Sequence, residues 1–299
     1  RIRNVITTLV RAIISLIYLH RQGVKMEKTI LISQDLSCAG QVSMAVALPI
    51  LGALGFSPSI LPTAILSTHT GGFGNNTYLD LSSEMEKIIA HWETIPLSFS
   101  AIYLGYLGNK PLDILLNNID SLATNSFLLL DPVMGDHGKL YRGFNSNYVH
   151  QMQHLVQKAN LITPNVTEAQ LLLGKECTTT TLSSAAALKL ATELNKKYKN
   201  KQILLTGVPK TDEKIGIVGI DNISQEIWQL ETPKIGSSFF GTGDIFASVL
   251  LGALLRDNTL KASTKIAMDF ISNTIQKNMQ FNCYNSRFGL DNSLELRVF

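Results

Sequence analysis

From residue 29 onward the chain alternates short, nearly uniform apolar runs with longer segments whose apolar residues recur at helical spacing. Residues 29–33, 101–107, 126–130, 161–163 and 202–206 lack polar alternation, the pattern of strands buried on both faces. Residues 43–54, 147–158, 167–173, 182–199 and 244–256 carry apolar positions three and four apart and predict helices. Such alternation predicts a mostly parallel sheet with helices on both sides, a three-layer α-β-α fold. Two late runs, residues 215–220 and 226–231, flank the turn-forming pair Asp221-Asn222 and predict an antiparallel hairpin at one edge of that sheet.

No internal repeat, low-complexity tract or Pro-rich linker divides the body, so residues 26–299 are expected to form one domain. The preceding segment differs in character. Residues 5–19 are apolar enough to suggest a membrane segment, but Arg11 interrupts them and a spanning helix needs roughly 20 residues. A small-residue cleavage site is lacking, which argues against a secretory signal. Met26-Glu27-Lys28 directly precedes the first strand, so residues 1–25 are expected to be an extension outside the fold, with a peripheral membrane helix as the alternative.

The formal charge of +3 comes from that extension, which holds five basic residues and no acid; the body has 21 basic against 23 acidic residues. A nucleic-acid binder is therefore not expected. Cys38, Cys177 and Cys283 are far apart and odd in number, with no CxxC pair, which fits a reduced, cytoplasmic setting without disulfides or structural zinc.

In an open parallel sheet, ligands bind beyond the carboxyl ends of the strands. Asp131-Pro132-Val133-Met134-Gly135-Asp136, Thr163-Pro164-Asn165 and Thr206-Gly207 all fall there. Phe240-Gly241-Thr242-Gly243-Asp244 opens the last apolar helix. Its glycines permit a tight turn with bare N–H groups, and a helix N-terminus can hold a phosphoryl group. Asp244, in the first turn, can take a proton from an attacking hydroxyl; the plainer alternative is that it only caps the helix. Neither GxxxxGK[ST] nor GxGxxG is present. The Gly71-Gly72-Phe73-Gly74 cluster is consistent with a mobile loop.

Three segments together, Asp131 to Asp136, Thr163-Pro164-Asn165-Val166-Thr167-Glu168-Ala169 and Gly241-Thr242-Gly243-Asp244, resemble the ribokinase-like superfamily and, within it, the vitamin B6 kinases. Asp35-Leu36-Ser37, Leu61-Pro62-Thr63, Ser67-Thr68-His69-Thr70 and Gly105-Tyr106-Leu107-Gly108 extend the likeness from Lys28 to the C-terminus.

The resemblance implies an ATP-dependent kinase acting on the hydroxymethyl group of pyridoxal, pyridoxine or pyridoxamine. It implies Asp244 as base, with Gly241, Thr242 and Gly243 forming an anion hole. Asp131 and Glu168 would hold Mg²⁺ through water, with Asn165 beside the phosphates. Thr163, Thr206 and the stretch 235–240, Phe240 included, would border ATP. Asp35, Thr63, His69 and Tyr106 would face the substrate. A homodimer is also implied, and a monovalent cation such as K⁺ is left open. Taken singly, Asp131 reads equally as a turn former, Glu168 as a helix-face partner and His69 as a hydrogen-bonded core histidine.

The chain departs from the B6 pattern at Gln34-Asp35-Leu36, where many members carry a QSH-type segment. An aspartate there resembles the branch near hydroxymethylpyrimidine kinases, whose members commonly have cysteine in place of Asp244. The balance favours a B6 vitamer. The alternatives are a hydroxymethylpyrimidine kinase, or a catalytically silent member that binds a B6 compound or a nucleotide.

Overall fold

Neighbouring residues of each central strand enter different cores: Leu31 packs with one cluster of buried side chains, Ile30 and Ile32 with another. Strands covered on both faces have no polar side to show, which is why their sequences lack alternation. The computed structural model describes residues 28–178, 182–199, 201–211, 213–236, 239–280 and 285–298. The expected extension 1–25, the pair 237–238 of the expected ATP border and Cys283 lie outside the described residues.

The chain runs β1 (Ile30–Ser33), β2 (Leu36–Ala39), α1 (Met44–Ala53), β3 (Ser59–Ile60), β4 (Ala64–Thr68), β5 (Tyr78–Asp80), α2 (Ser82–Trp92), β6 (Ala101–Leu104) and α3 (Asn109–Leu122). It continues through β7 (Phe127–Leu130), β8 (Gly135–Asp136), β9 (Lys139–Leu140), α4 (Ser146–Lys158), β10 (Leu161–Ile162), α5 (Val166–Leu173) and α6 (Ser184–Lys197). Then follow β11 (Gln202–Thr211), β12 (Lys214–Asp221), β13 (Glu226–Pro233), α7 (Thr242–Leu255) and α8 (Leu260–Met279).

One eight-stranded sheet has the order β13-β12-β11-β10-β7-β6-β1-β3. Strands β3 to β11 within it pair in parallel, while β12 is antiparallel to both β11 and β13. Helices α2 to α6 cover one face through residues such as Met85, Leu112, Met152, Leu172 and Leu194. Helices α1, α7 and α8 cover the other through Met44, Ile50, Val249, Leu250 and Met268. This is the three-layer α-β-α arrangement with an antiparallel edge.

Three differences from the sequence expectation concern strand ends. The strand expected over 101–107 stops at Leu104, and Gly105 to Leu107 form a loop at the mouth of the sheet. The strand expected to end at Thr206 runs on to Thr211 through a register shift, where Gly207 takes φ 63°. A glycine there lets the strand bend without breaking its pairing with β12. The run expected to reach Thr163 stops at Ile162, which leaves the Thr163 side chain at the strand end.

A second sheet, order β2-β4-β5, was not foreseen. It stands beyond the carboxyl end of β1. The glycine cluster 71–74 is also more tied down than a free loop, because Phe73 packs edge-on against His69 and Phe288, both with centroids 5.0 Å away.

Candidate active site

The turn that opens α7 is built for close approach. Gly241 takes φ 79°, and any Cβ there would collide with the Gln41 carbonyl oxygen. Only glycine satisfies both demands. The turn delivers Asp244 into the first turn of α7, where its Oδ2 accepts the Ser43 N–H at 2.9 Å. Burial raises the Asp244 pKa to about 7; the Ser43 hydrogen bond opposes the shift, and the Asp131 and Asp35 carboxylates add to it. A carboxyl with that pKa is poised to accept a proton near neutral pH.

Asp131 follows β7 directly and faces the same turn: a Cβ on Gly243 would lie 3.5 Å from Asp131 Oδ2. Its Oδ1 accepts the Thr163 hydroxyl at 3.2 Å, which spans the ends of β7 and β10. Burial raises its pKa to about 7 as well, with the Thr163 bond working against the shift.

Glu168 and Asn165 form a capping box at the start of α5, the reciprocal pairing that asparagine three residues before glutamate predicts. Glu168 Oε2 accepts from Asn165 N at 2.9 Å and Oε1 from Met134 N at 3.1 Å. Burial, and then the Asp131 charge, raise the Glu168 pKa well above the ordinary carboxylate range. The Asn165 amide is committed in turn, donating to Gly135 O at 2.9 Å. Thr206 closes this side, its hydroxyl lying 3.4 Å from Thr163 O and 3.3 Å from Pro164 O.

On the opposite side Asp35 follows β1 and is 3% exposed. Burial raises its pKa, while the hydroxyls of Ser43 and Ser37 and the nearby His69 oppose the rise. Thr63 donates its hydroxyl to Tyr106 O at 3.2 Å, joining two residues expected at the substrate. Burial raises the Tyr106 pKa, and its ring lies 5.4 Å from that of Phe144.

The structure thus gathers Asp35, Asp131, Asp244 and Glu168, with Thr163, Asn165 and Thr206 supporting the acids. Two expected residues make contacts that the resemblance does not imply. His69 spends both ring nitrogens on the protein: Nδ1 accepts Gly71 N–H at 3.2 Å, so Nε2 carries the proton and donates to Arg287 O at 2.6 Å. Phe240, expected at ATP, packs its ring 4.5 Å from that of His69, a residue expected at the substrate. Residues that sequence reasoning missed are Ser43, the segment Arg287 to Gly289 and Tyr141, whose pKa is raised by burial and by Glu168, Asp136, Asp131 and Asp244. Ser43 had carried one signal, a serine at the start of a helical pattern.

Known proteins resemble this chain in both sequence and fold. A Bacteroides thetaiotaomicron protein assigned to the phosphomethylpyrimidine kinases and solved with pyridoxal superposes with a TM-score of 0.84, at 34% identity over 91% of this chain and 95% of that one. A pyridoxal kinase from Lactobacillus plantarum gives a TM-score of 0.81, at 30% identity over 91% and 96%. A hydroxymethylpyrimidine/phosphomethylpyrimidine kinase of Aquifex aeolicus is 27% identical over 195 residues, 64% of this chain and 72% of that protein. The phosphomethylpyrimidine kinase family profile matches residues 51–288. The fold is ribokinase-like, and the chain belongs to the phosphomethylpyrimidine kinase family.

Proposed function

We propose that this chain is an ATP-dependent kinase that phosphorylates the primary hydroxymethyl group of pyridoxal, pyridoxine or pyridoxamine. The observation that carries the reading is the meeting of two buried carboxylates, Asp35 and Asp131, with half-buried Asp244 at the glycine turn of α7, where loss of solvent first, and then the charges of Asp131 and Asp35, raise the Asp244 pKa to about 7. The similarity to proteins named pyridoxal kinase, and to one solved with pyridoxal, supports the vitamer.

In this reading Asp244 takes the alcohol proton as the alcohol oxygen forms its bond to the γ-phosphorus. The bond from that phosphorus to the β,γ-bridging oxygen breaks, and ADP leaves with the electron pair. The N–H groups of Gly241, Thr242 and Gly243 face the transferring phosphoryl at the positive end of α7, where they stabilise charge without reorganising. Thr163, Asn165 and Thr206 border the nucleotide. Asp35, Thr63, Tyr106 and the His69 loop border the ring.

The donor set fits Mg²⁺ held through water. Asp131 and Glu168 are buried carboxylates that repel each other, each oxygen already accepting a hydrogen bond keeps a second lone pair, and Mg²⁺ takes few protein ligands. Bound there, Mg²⁺ would neutralise phosphate charge. Rates with and without K⁺ test whether a monovalent cation is needed.

We also take residues 26–299 as the kinase domain and a homodimer as the working form. Ile60, Ile65, Tyr78 and Leu79 are exposed on and beside the small sheet, a patch that a second copy would cover. No helix among the described residues is long and apolar enough to cross a membrane. Free Cys38 and Cys177 support a cytoplasmic setting.

A second reading, hydroxymethylpyrimidine kinase, is favoured by one observation: Asp35 is a buried acceptor suited to an amino substituent on a pyrimidine. ADP release measured with pyridoxal, pyridoxine, pyridoxamine and hydroxymethylpyrimidine at matched ATP and Mg²⁺ decides between them. No release with any of the four would sink the kinase reading.

A further inference from the structure

Ser43 holds φ 49° and ψ −129°, a conformation that a residue with a Cβ rarely adopts. Backbone strain of this kind persists only where the surroundings enforce it, and it gathers at functional sites. The enforcement here is visible on both sides. Met44 N donates to Asp35 O at 3.2 Å, pinning the chain just after Ser43. Two residues before it, Gln41 N donates to Phe288 O at 2.6 Å, and Gln41 bridges to Gly289. The Gln41 carbonyl is wedged between Gly241 at φ 79° and Gly289 at φ 77°, where a Cβ on either glycine would collide with it. The result is one Ser43 N–H aimed at Asp244 Oδ2 at 2.9 Å. Because Ser43 is the N-cap of α1, the carboxylate also meets the positive end of that helix. The other charged groups facing Asp244, Asp131 and Asp35, are acids and cannot hold it.

We infer that Ser43 is a positioning residue for phosphoryl transfer: its strained backbone fixes Asp244 Oδ2 by one N–H, leaving Oδ1 for the substrate hydroxyl, and the clasp of Gln41 by Gly289 maintains that geometry. The inference rests on the reading of Asp244 as the base. It assigns the work to the backbone of Ser43 rather than to its hydroxyl.

Three variants separate backbone from hydroxyl, since all three lose the oxygen. Ser43→Val places a β-branched residue where φ is positive and should turn the N–H away from Asp244. Its kcat should fall at least about tenfold, because small misplacements of a reacting group are costly, while KM for ATP stays within about threefold. Ser43→Gly adopts the conformation freely, and its kcat should return to within about threefold of the parent; Ser43→Ala should lie near it. Equal losses in all three, or Ser43→Val as active as the parent, would overturn the inference. If Ser43→Val does not fold, the Ser43 amide in the parent decides: its proton resonance should move upfield in Asp244→Ala, and an unmoved resonance would overturn the inference equally. Asp244→Asn separates the two layers. Turnover retained in that variant defeats the base reading itself, whereas an inactive Asp244→Asn beside a fully active Ser43→Val defeats only the role of Ser43.

Discussion

Asn165 and Glu168 cap one another at the start of α5, each side chain accepting the other's backbone N–H at 2.9 Å. The same Glu168 carboxylate faces Asp131, so one residue both starts a helix and supplies charge to the proposed metal site. Glu168→Gln keeps the length but replaces one accepting oxygen by NH₂. Leaving either Met134 N–H or Asn165 N–H without its acceptor should cost about 1 kcal/mol, and removing a charge that Asp131 repels should offset part of that loss. We also expect a catalytic defect that softens as Mg²⁺ is raised. Thermal melts and Mg²⁺ titrations of the rate check the two parts; unchanged activity at low Mg²⁺ would leave Glu168 a cap and nothing more.

Asp244→Asn should lose about 10²- to 10⁴-fold in kcat with nucleotide binding nearly intact, because the amide keeps the shape but cannot take the alcohol proton. Steady-state rates together with nucleotide titration test this. A drop under about tenfold would remove Asp244 from the role of base.

The pKa of Asp244 carries a signed pH prediction. Its folded value, about 7, lies above the ordinary 3.8, so burial favours the protonated form. The stability it contributes is full below the unfolded pKa and is lost as pH rises through 7. Activity has the opposite requirement and should climb through the same range as the base ionises. Asp244→Asn, which never ionises, should therefore melt higher than the parent at pH 8, with the difference shrinking toward pH 5. Melting curves across that range check it; a constant difference would show that the buried charge is not the cause.

In the proposed reading, Asp35 and Asp244 pull substrate choice in opposite directions. Asp35 offers a charged acceptor to an amino or ring N–H group, while Asp244 is the residue that B6 kinases carry in place of cysteine. We expect B6 vitamers to exceed hydroxymethylpyrimidine by at least about tenfold in kcat/KM, roughly 1.4 kcal/mol of transition-state binding. Competition between the two substrates at matched ATP is the measurement. Preference for hydroxymethylpyrimidine would leave the reaction type standing and change the substrate.

Much of the large sheet was legible because its strands are buried on both faces and so appear as unbroken apolar runs, Phe127–Leu130 being the plainest. The β2-β4-β5 sheet was not, since it is shallow: all three residues of β5 are exposed, and β2 mixes buried Ser37 with exposed Cys38. Helix α8 escaped for a related reason, its apolar positions being interleaved with Lys261, Lys265, Asp269 and Lys277. Of the site, Asp131, Glu168 and Asp244 could be read because each sits in a compact motif at a strand or helix end. The Ser43 contact to Asp244 joins residues 201 apart, and nothing local to either announces it. His69 likewise hydrogen-bonds through its ring nitrogens to Gly71 and to Arg287, the latter 218 residues away, which its own segment does not announce.

The wedging of the Gln41 carbonyl between Gly241 and Gly289 bears on how the protein comes into being on the ribosome. The parts that meet there are synthesised at three widely separated times, and the last is Gly289. A nascent chain that has already exposed Asp131, Glu168 and Asp244 still lacks the support that seats the loop before α1. Contacts of such sequence separation form late, after the loop-closure entropy between them has been overcome. On that argument the central strands can assemble during translation, and the clasp of Gln41 by Gly289 is the last support to join the loop before α1.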